Sequence, residues 1–177
     1  MAMETLNDLF VDELKDLYSA ENQLIKALPK MAKAAENPEL ANAFNMHLQQ
    51  TEEHARRIEE IFKAGLDSSP RGKKCAGMEG LIKEGSDVIH EEGASDVLDA
   101  AIIGAAQRVE HYEMAGYGTA RAHAQQLGYN NAVRLLQQTL EEEAAANEKL
   151  TQIAQSGVNA SAAQKHDGDK HMGAVEQ

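Results

Sequence analysis

Val109-Glu110-His111-Tyr112-Glu113 lies in the second half of Val97–Thr119, a stretch that is otherwise nearly all apolar or small. Between Ala100 and Ala120 the only fixed charges are Arg108, Glu110 and Glu113. On a helix the two glutamates sit one turn apart on a shared face, where like charges repel. An ionised carboxylate turned toward a core must be paired, protonated or bound to a cation. This spacing predicts an inward-facing cation site on a long helix.

Outward from this stretch, end signals and apolar periodicity mark four long helices. The first starts at Thr5, with Asp8 in a capping-box arrangement. Its apolar stripe runs Phe10, Leu14, Leu17/Tyr18, Leu24/Ile25, Leu28, Met31, and the missing member is Glu21. The second opens at Asn37-Pro38-Glu39: cap, proline in the first turn, then an acid at the positive end of the dipole. Its stripe is Leu40, Phe44, His47, Thr51, His54, Ile58, Ile61/Phe62, and Gly65 stops it. A loop around Ser68-Ser69-Pro70-Arg71-Gly72 follows, then a shorter helix over Met78–Glu91. The third long helix runs from Ser95 to Leu127, with Gly128 as its stop. The fourth begins near Asn130 and ends near Gly157, with the stripe Val133, Leu136, Leu140, Glu143, Asn147, Leu150, Ile153/Ala154.

Four helices, each about 40 Å long at ~1.5 Å per residue, paired by short turns and joined by one long link, predict an all-α, ferritin-like four-helix bundle. The long link between the second and third helices is the crossover and carries the short extra helix. Residues 1–157 form this one domain, and residues 158–177 read as a disordered polar tail that includes His166 and His171.

Composition narrows the function. With 29 acids against 17 bases the net charge is −12, which argues against nucleic-acid or anionic-membrane partners. No apolar run reaches the ~18 residues of a membrane span. One cysteine, Cys75, forbids an intramolecular disulfide and fits a reducing cytosol. No signal peptide is evident at Met1–Leu9. The expectation is a cytoplasmic protein that attracts cations.

The inward acids also agree in height. Counted back from the turn near Glu36, Glu21 is level with the region of Glu52, where His54 and Gln50 face inward. Counted from Gly128, Glu110 and Glu113 are level with Glu143–Ala146, and Glu143 is on the stripe. Each helix thus offers a donor at mid-height: Glu21, His54 with Gln50, Glu110 with Glu113, and Glu143. Carboxylates with some imidazole suit two divalent ions, iron first, manganese or zinc as alternatives. Each residue also has a plainer reading. Glu141-Glu142-Glu143 reads as a solvated acidic run apart from Glu143, His47 as a core histidine, and Cys75 as an ordinary thiol. Nothing resembles a phosphate loop, so no nucleotide, haem or flavin is expected.

Several blocks together resemble the YciE/YciF family: Leu17-Tyr18-Ser19-Ala20-Glu21-Asn22-Gln23-Leu24, His47-Leu48 with Thr51, Arg57-Ile58-Glu59, Cys75-Ala76-Gly77-Met78-Glu79-Gly80-Leu81-Ile82, Val109-Glu110-His111-Tyr112-Glu113 with Tyr117-Gly118-Thr119, and Gln126-Leu127-Gly128-Tyr129 followed by Leu140-Glu141-Glu142-Glu143. The resemblance spans roughly Thr5–Ala154. It implies a ferritin-like, stress-associated bacterial protein, commonly a homodimer, with a dinuclear metal site. By position it implies Glu21, Glu110, Glu113 and Glu143 as ligands. Gln50 stands where related chains often carry Glu, and Ala146 where the rubrerythrin pattern wants His. The resemblance carries no settled biochemical activity, and three readings fit the residues: peroxide or oxygen chemistry at the metal pair, iron handling without turnover, or a stress-induced helical scaffold.

Overall fold

A computed structural model describes residues 3–164. Every regular element among them is helical: α1 (Leu6–Ala34), α2 (Pro38–Lys63), α3 (Ala76–Ile89), α4 (Ser95–Leu127) and α5 (Asn130–Ile153). α1 packs on α2 and α4, α5 packs on α4 and α2, and α3 lies across α4 and α1. No helix among the described residues is long and apolar enough to cross a membrane.

The helix ends follow local chemistry. Thr5 Oγ1 accepts the Asp8 amide at 3.1 Å while Asp8 Oδ2 accepts the Thr5 amide at 2.9 Å, closing the capping box. Asn37 Oδ1 accepts from the amides of Glu39 and Leu40 at 2.9 and 3.1 Å, with Pro38 as the first helical residue. Gly128 ends α4 in the left-handed region at φ +76°, which a residue with a Cβ enters only at a cost. α3 starts two residues before the expected Met78, because Cys75 Sγ caps it by accepting the Met78 amide at 3.4 Å, and it ends two before Glu91.

The expected tail begins too early. After α5 comes a π-helical turn, Ala154–Val158, and residues 159–164 are again helical. Val158 is 3% exposed and belongs to the core, which holds this segment against the rest of the chain. Residues 165–177, with His166 and His171, lie outside the described residues. The buried stripe of α5 is also rotated from the expected one: Leu135 and Thr139 are buried, while Val133, Leu140 and Asn147 lie at its margin.

The core has two apolar halves with a polar layer between them. One half gathers Phe10–Tyr18, Ala55–Phe62, Tyr117–Ala124 and Ala132–Leu136. The other gathers Ala20–Met31, Leu40–Phe44, Ile102–Val109 and Leu150–Val158, together with Cys75 and Met78. Between these blocks along the helices lie the buried His47, Thr51, His54, Glu110, Glu113, Thr139 and Glu143, joined by Glu21 just past the junction on α1. Apolar packing above and below fixes where this layer sits and keeps bulk water out of it.

Two contacts set the helix positions further. Asp99 of α4 is buried and accepts the amides of Glu36 and Asn37 at 3.0 and 2.7 Å, tying the α1–α2 turn to α4. Gly77 lets α3 approach α4 closely: a Cβ there would meet the Tyr112 ring at 2.7 Å. That ring is held, since the Tyr112 hydroxyl donates to Asp16 Oδ2 at 2.7 Å and lies 2.9 Å from Cys75 Sγ. Gly77→Ala is therefore expected to lower stability by ~1–3 kcal/mol through overpacking, although alanine is the better helix former. Urea unfolding checks this, and an unchanged or raised midpoint would refute the close approach.

Candidate metal centre

Four helices each place their inward donors in the polar layer. One ligand atom from each of His47, Glu110, Glu113 and Glu143 lies within 4.8 Å of all the others. A second group on the same criterion is Glu21, His54 and Glu143. Glu143 belongs to both. Its Oε2 lies 3.6 Å from His47 Nε2 and its Oε1 lies 2.8 Å from His54 Nδ1, so its two oxygens face two imidazoles. The rings themselves are 6.3 Å apart between centroids.

These atoms lack the partners that burial ordinarily demands. Among the described residues ten buried side-chain polar atoms make no hydrogen bond, and eight of them are here: Glu21 Oε2, His47 Nε2, His54 Nδ1, Glu110 Oε2 and both oxygens of Glu113 and Glu143. The 2.8 Å approach of His54 Nδ1 to Glu143 is thus off the line of a hydrogen bond. Buried carboxylates and imidazoles gathered this closely, with so few hydrogen bonds among them, are a set that a cation would complete by displacing their protons. The buried His and Glu groups could hold a metal ion.

The outer faces of the ligands are occupied. His54 Nε2 lies 2.8 Å from Glu142 Oε2, and Arg57 grips the same carboxylate with Nη1 at 2.7 Å and Nη2 at 3.0 Å. Glu142, held below its ordinary acid range by Arg57 and His54 against its partial burial, can only accept. Nε2 therefore carries the proton, and Nδ1 is turned to the centre. Gln50 Oε1 does the same for His47, 3.3 Å from Nδ1, and leaves Nε2 facing Glu110 Oε1 at 3.4 Å. Thr51 Oγ1 donates to the His47 carbonyl at 2.9 Å. The Tyr117 hydroxyl donates to Glu21 Oε1, so Glu21 presents its other oxygen.

Burial and mutual repulsion shape the charges. Burial, then Glu143, push Glu110 well above the carboxylate range. Glu113 is raised in the same way, by burial first and by Glu21, Glu143 and Glu110 after it. Burial pushes the Glu21 carboxyl up to about 8 against the pull of His54. Burial works against a charged His54, but Glu143, Glu21 and Glu142 outweigh it and lift the ring to about 9. Burial lowers His47, which stays neutral and can offer a lone pair. Glu143 is held low despite its burial by His54 and His47. The layer thus retains protons on groups that a cation would displace.

Of the residues expected from sequence, Glu21, His54, Glu110, Glu113 and Glu143 are brought together. Gln50 is half-buried and stands behind His47. Asn147, also expected inward, instead accepts from Gln107 Nε2 at 3.2 Å. His47 and Glu142 are the additions. His47 sits on the inward stripe of α2, and that position was its signal; Glu142 has none in sequence, since its role depends on how α2 and α5 pack.

Residues 5–163 match the family described as a domain of unknown function, DUF892. Protein YciF of Escherichia coli strain K12 is 46% identical over 165 residues, covering 93% of this chain and 99% of that protein. The crystal structure of the E. coli stress protein YciF superposes with a TM-score of 0.86, covering 89% of this chain and 99% of that one. YcfI of Rhodopseudomonas palustris is 44% identical with a TM-score of 0.81, covering 84% and 94%. A protein of Xanthomonas campestris pv. campestris, at 18% identity and a TM-score of 0.71 over 92% of this chain and 99% of that one, shares the fold. On the match over residues 5–163, the chain belongs to the DUF892 family, and it is a relative of YciF.

Proposed function

We propose that this chain is a ferritin-like four-helix bundle that holds two divalent metal ions, iron first with manganese or zinc as alternatives. We further propose that the pair serves peroxide or oxygen chemistry in a bacterial, cytoplasmic stress response. The observation that carries the reading is Glu143, shared by two ligand groups that each contain one imidazole. The E. coli relative's description as a stress protein supports the setting.

When bound, a redox-active pair supplies the electrons for reducing an oxidant. The chain's own residues do the rest. Glu110 and Glu113 provide negative charge on one side and Glu21 on the other. Glu142 and Gln50 fix the imidazole tautomers, and Arg57 fixes Glu142. Tyr117 orients Glu21 and keeps a proton at the edge of the centre. The apolar halves above and below exclude water.

Elemental mass spectrometry on protein purified without a His-tag or chelator tests this directly. We expect about one to two iron or manganese ions per chain, lost in Glu110→Ala/Glu113→Ala, since each buried position offers hard oxygen ligands. No metal in either protein, with equal melting temperatures, would refute the metal reading. That result would favour a second one, a helical structural protein, the role suggested for the Rhodopseudomonas relative. A homodimer is also proposed. The small residues Gly104 and Gly118 of α4 meet nothing from another helix, which leaves room for a second copy, and light scattering would decide.

A further inference from the structure

Of the six His and Glu residues grouped at the centre, two keep accessible surface: His47 at 6% and Glu110 at 3%, against 0% for Glu21, His54, Glu113 and Glu143. Both of these line one cavity of about 370 Å³ between α2 and α5. Phe44, Ala145, Ala146 and Leu150 form much of its wall, and Met46, 69% exposed, stands at its mouth. Ala146 is three residues after Glu143. In di-iron carboxylate bundles that position carries the imidazole of a Glu-x-x-His pair. Here a methyl group takes its place, and the room an imidazole would fill belongs to the cavity.

We propose that this cavity is the binding site for the centre's exogenous ligand, and that the ligand is an apolar organic molecule with one neutral O–H head group. The apolar wall recognises the body of the ligand, since burying its surface on Phe44 and Leu150 is favourable. The head meets the small exposed edges of His47 and Glu110, the members of the centre that line the cavity. In the metal-free protein an anionic head is disfavoured by the Glu143 carboxylate behind the wall and by the chain's net charge of −12. Lys149 at the rim is paired with Glu39, so it offers no free cation to an acid. A molecule as small and polar as hydrogen peroxide would gain nothing from the apolar wall. An organic hydroperoxide and an alcohol share the required chemistry. The ligand's role rests on the metal reading above, but its binding to the cavity does not.

The test uses 2-phenyl-2-propanol, cumene hydroperoxide and benzoate as probes. Their binding is measured by ligand-observed NMR on the full chain, metal-free and loaded with redox-inert zinc. The alcohol should bind both forms, and benzoate should not bind the metal-free form. Ala146→Leu should weaken the alcohol at least tenfold while zinc content and melting temperature stay unchanged. Ala145→Leu, on the same wall, replaces it if that variant does not fold. Tighter binding of the hydroperoxide than of the alcohol to the zinc form would identify a hydroperoxide as the natural ligand, and the reverse order an alcohol. Equal affinity of the metal-free form for benzoate, or binding indifferent to both wall variants, would overturn the proposal. If zinc does not load, the metal reading fails, and the metal-free arm still decides the cavity.

Discussion

Metal-free protein is expected to lose stability as the pH rises from about 5 to about 9, and metal-loaded protein to gain it over the same range. In the fold the Glu21 carboxyl is raised from its ordinary 4.5 to about 8. Between those values the folded chain keeps a proton that the unfolded chain has released, so each step up in pH favours unfolding. His54, raised from 6.5 to about 9, acts in the same sense. Its contribution is complete below 6.5 and is lost as the pH rises through 9. Glu110 and Glu113, pushed well above the carboxylate range, add to the trend. Glu142 and Glu143 are shifted the other way, so what they contribute is lost as the pH falls below their ordinary 4.5. His47, lowered from 6.5, likewise opposes folding on the acid side.

At ~1.4 kcal/mol per pKa unit, Glu21 alone amounts to a change on the order of several kcal/mol. A bound cation replaces these protons, and its affinity rises as the ligands deprotonate. Metal at ~1,000 times its dissociation constant adds ~4 kcal/mol. At ~2–4 °C per kcal/mol for a chain of this size, that is a rise in melting temperature of ~8–16 °C. Thermal melts from pH 5 to pH 9, with chelator or with zinc, measure both slopes. Parallel profiles in the two series would contradict the assignment of these residues as ligands.

Glu142→Ala should show the second large effect, although Glu142 faces away from the centre. It leaves the Arg57 guanidinium, 7% exposed, without its bidentate partner and His54 Nε2 without an acceptor. Splitting a fully buried pair costs ~3–5 kcal/mol. Because the Glu142 side chain keeps 25% of its surface in water, the expected loss is smaller, about 2–3 kcal/mol. With its ring released, His54 should also bind metal more weakly, by ~10–100-fold. Glu142→Gln retains an acceptor for both partners and should recover part of each effect. Zinc competition titrations and urea unfolding report them separately. Metal affinity untouched in Glu142→Ala would show that the carboxylate has no part in orienting His54.

What the sequence made legible was mainly what local chemistry controls. Thr5, Asn37-Pro38 and Gly128 act within a few residues of themselves, so the ends of α1, α2 and α4 could be read directly. Glu21, Glu110, Glu113 and Glu143 stand out because each interrupts an apolar stripe. Counting heights from the turns assumed one thin level of donors. The polar layer is thicker than that, with imidazoles from two turns of α2, and so His47 belongs to it as well as His54. Glu142 looked like part of a wet acidic run because its partners, Arg57 and His54, are more than eighty residues away in the chain. The helix beyond Gly157 was missed because Ala and polar residues make it up, while the burial of Val158 that holds it is a tertiary contact.

Asp99 gives the two helical hairpins a common zero of height. Its carboxylate holds two backbone amides of the α1–α2 turn, so α1 and α2 cannot slide along α4 without leaving those amides unmatched. One helical turn is about 5.4 Å, more than the 4.8 Å within which the donor atoms of either group lie. A slip of a single turn would leave each helix intact and each donor on its stripe, yet no cation could be reached by all of them. The alignment of the centre is thus set at the end of the molecule, by a residue that supplies no ligand.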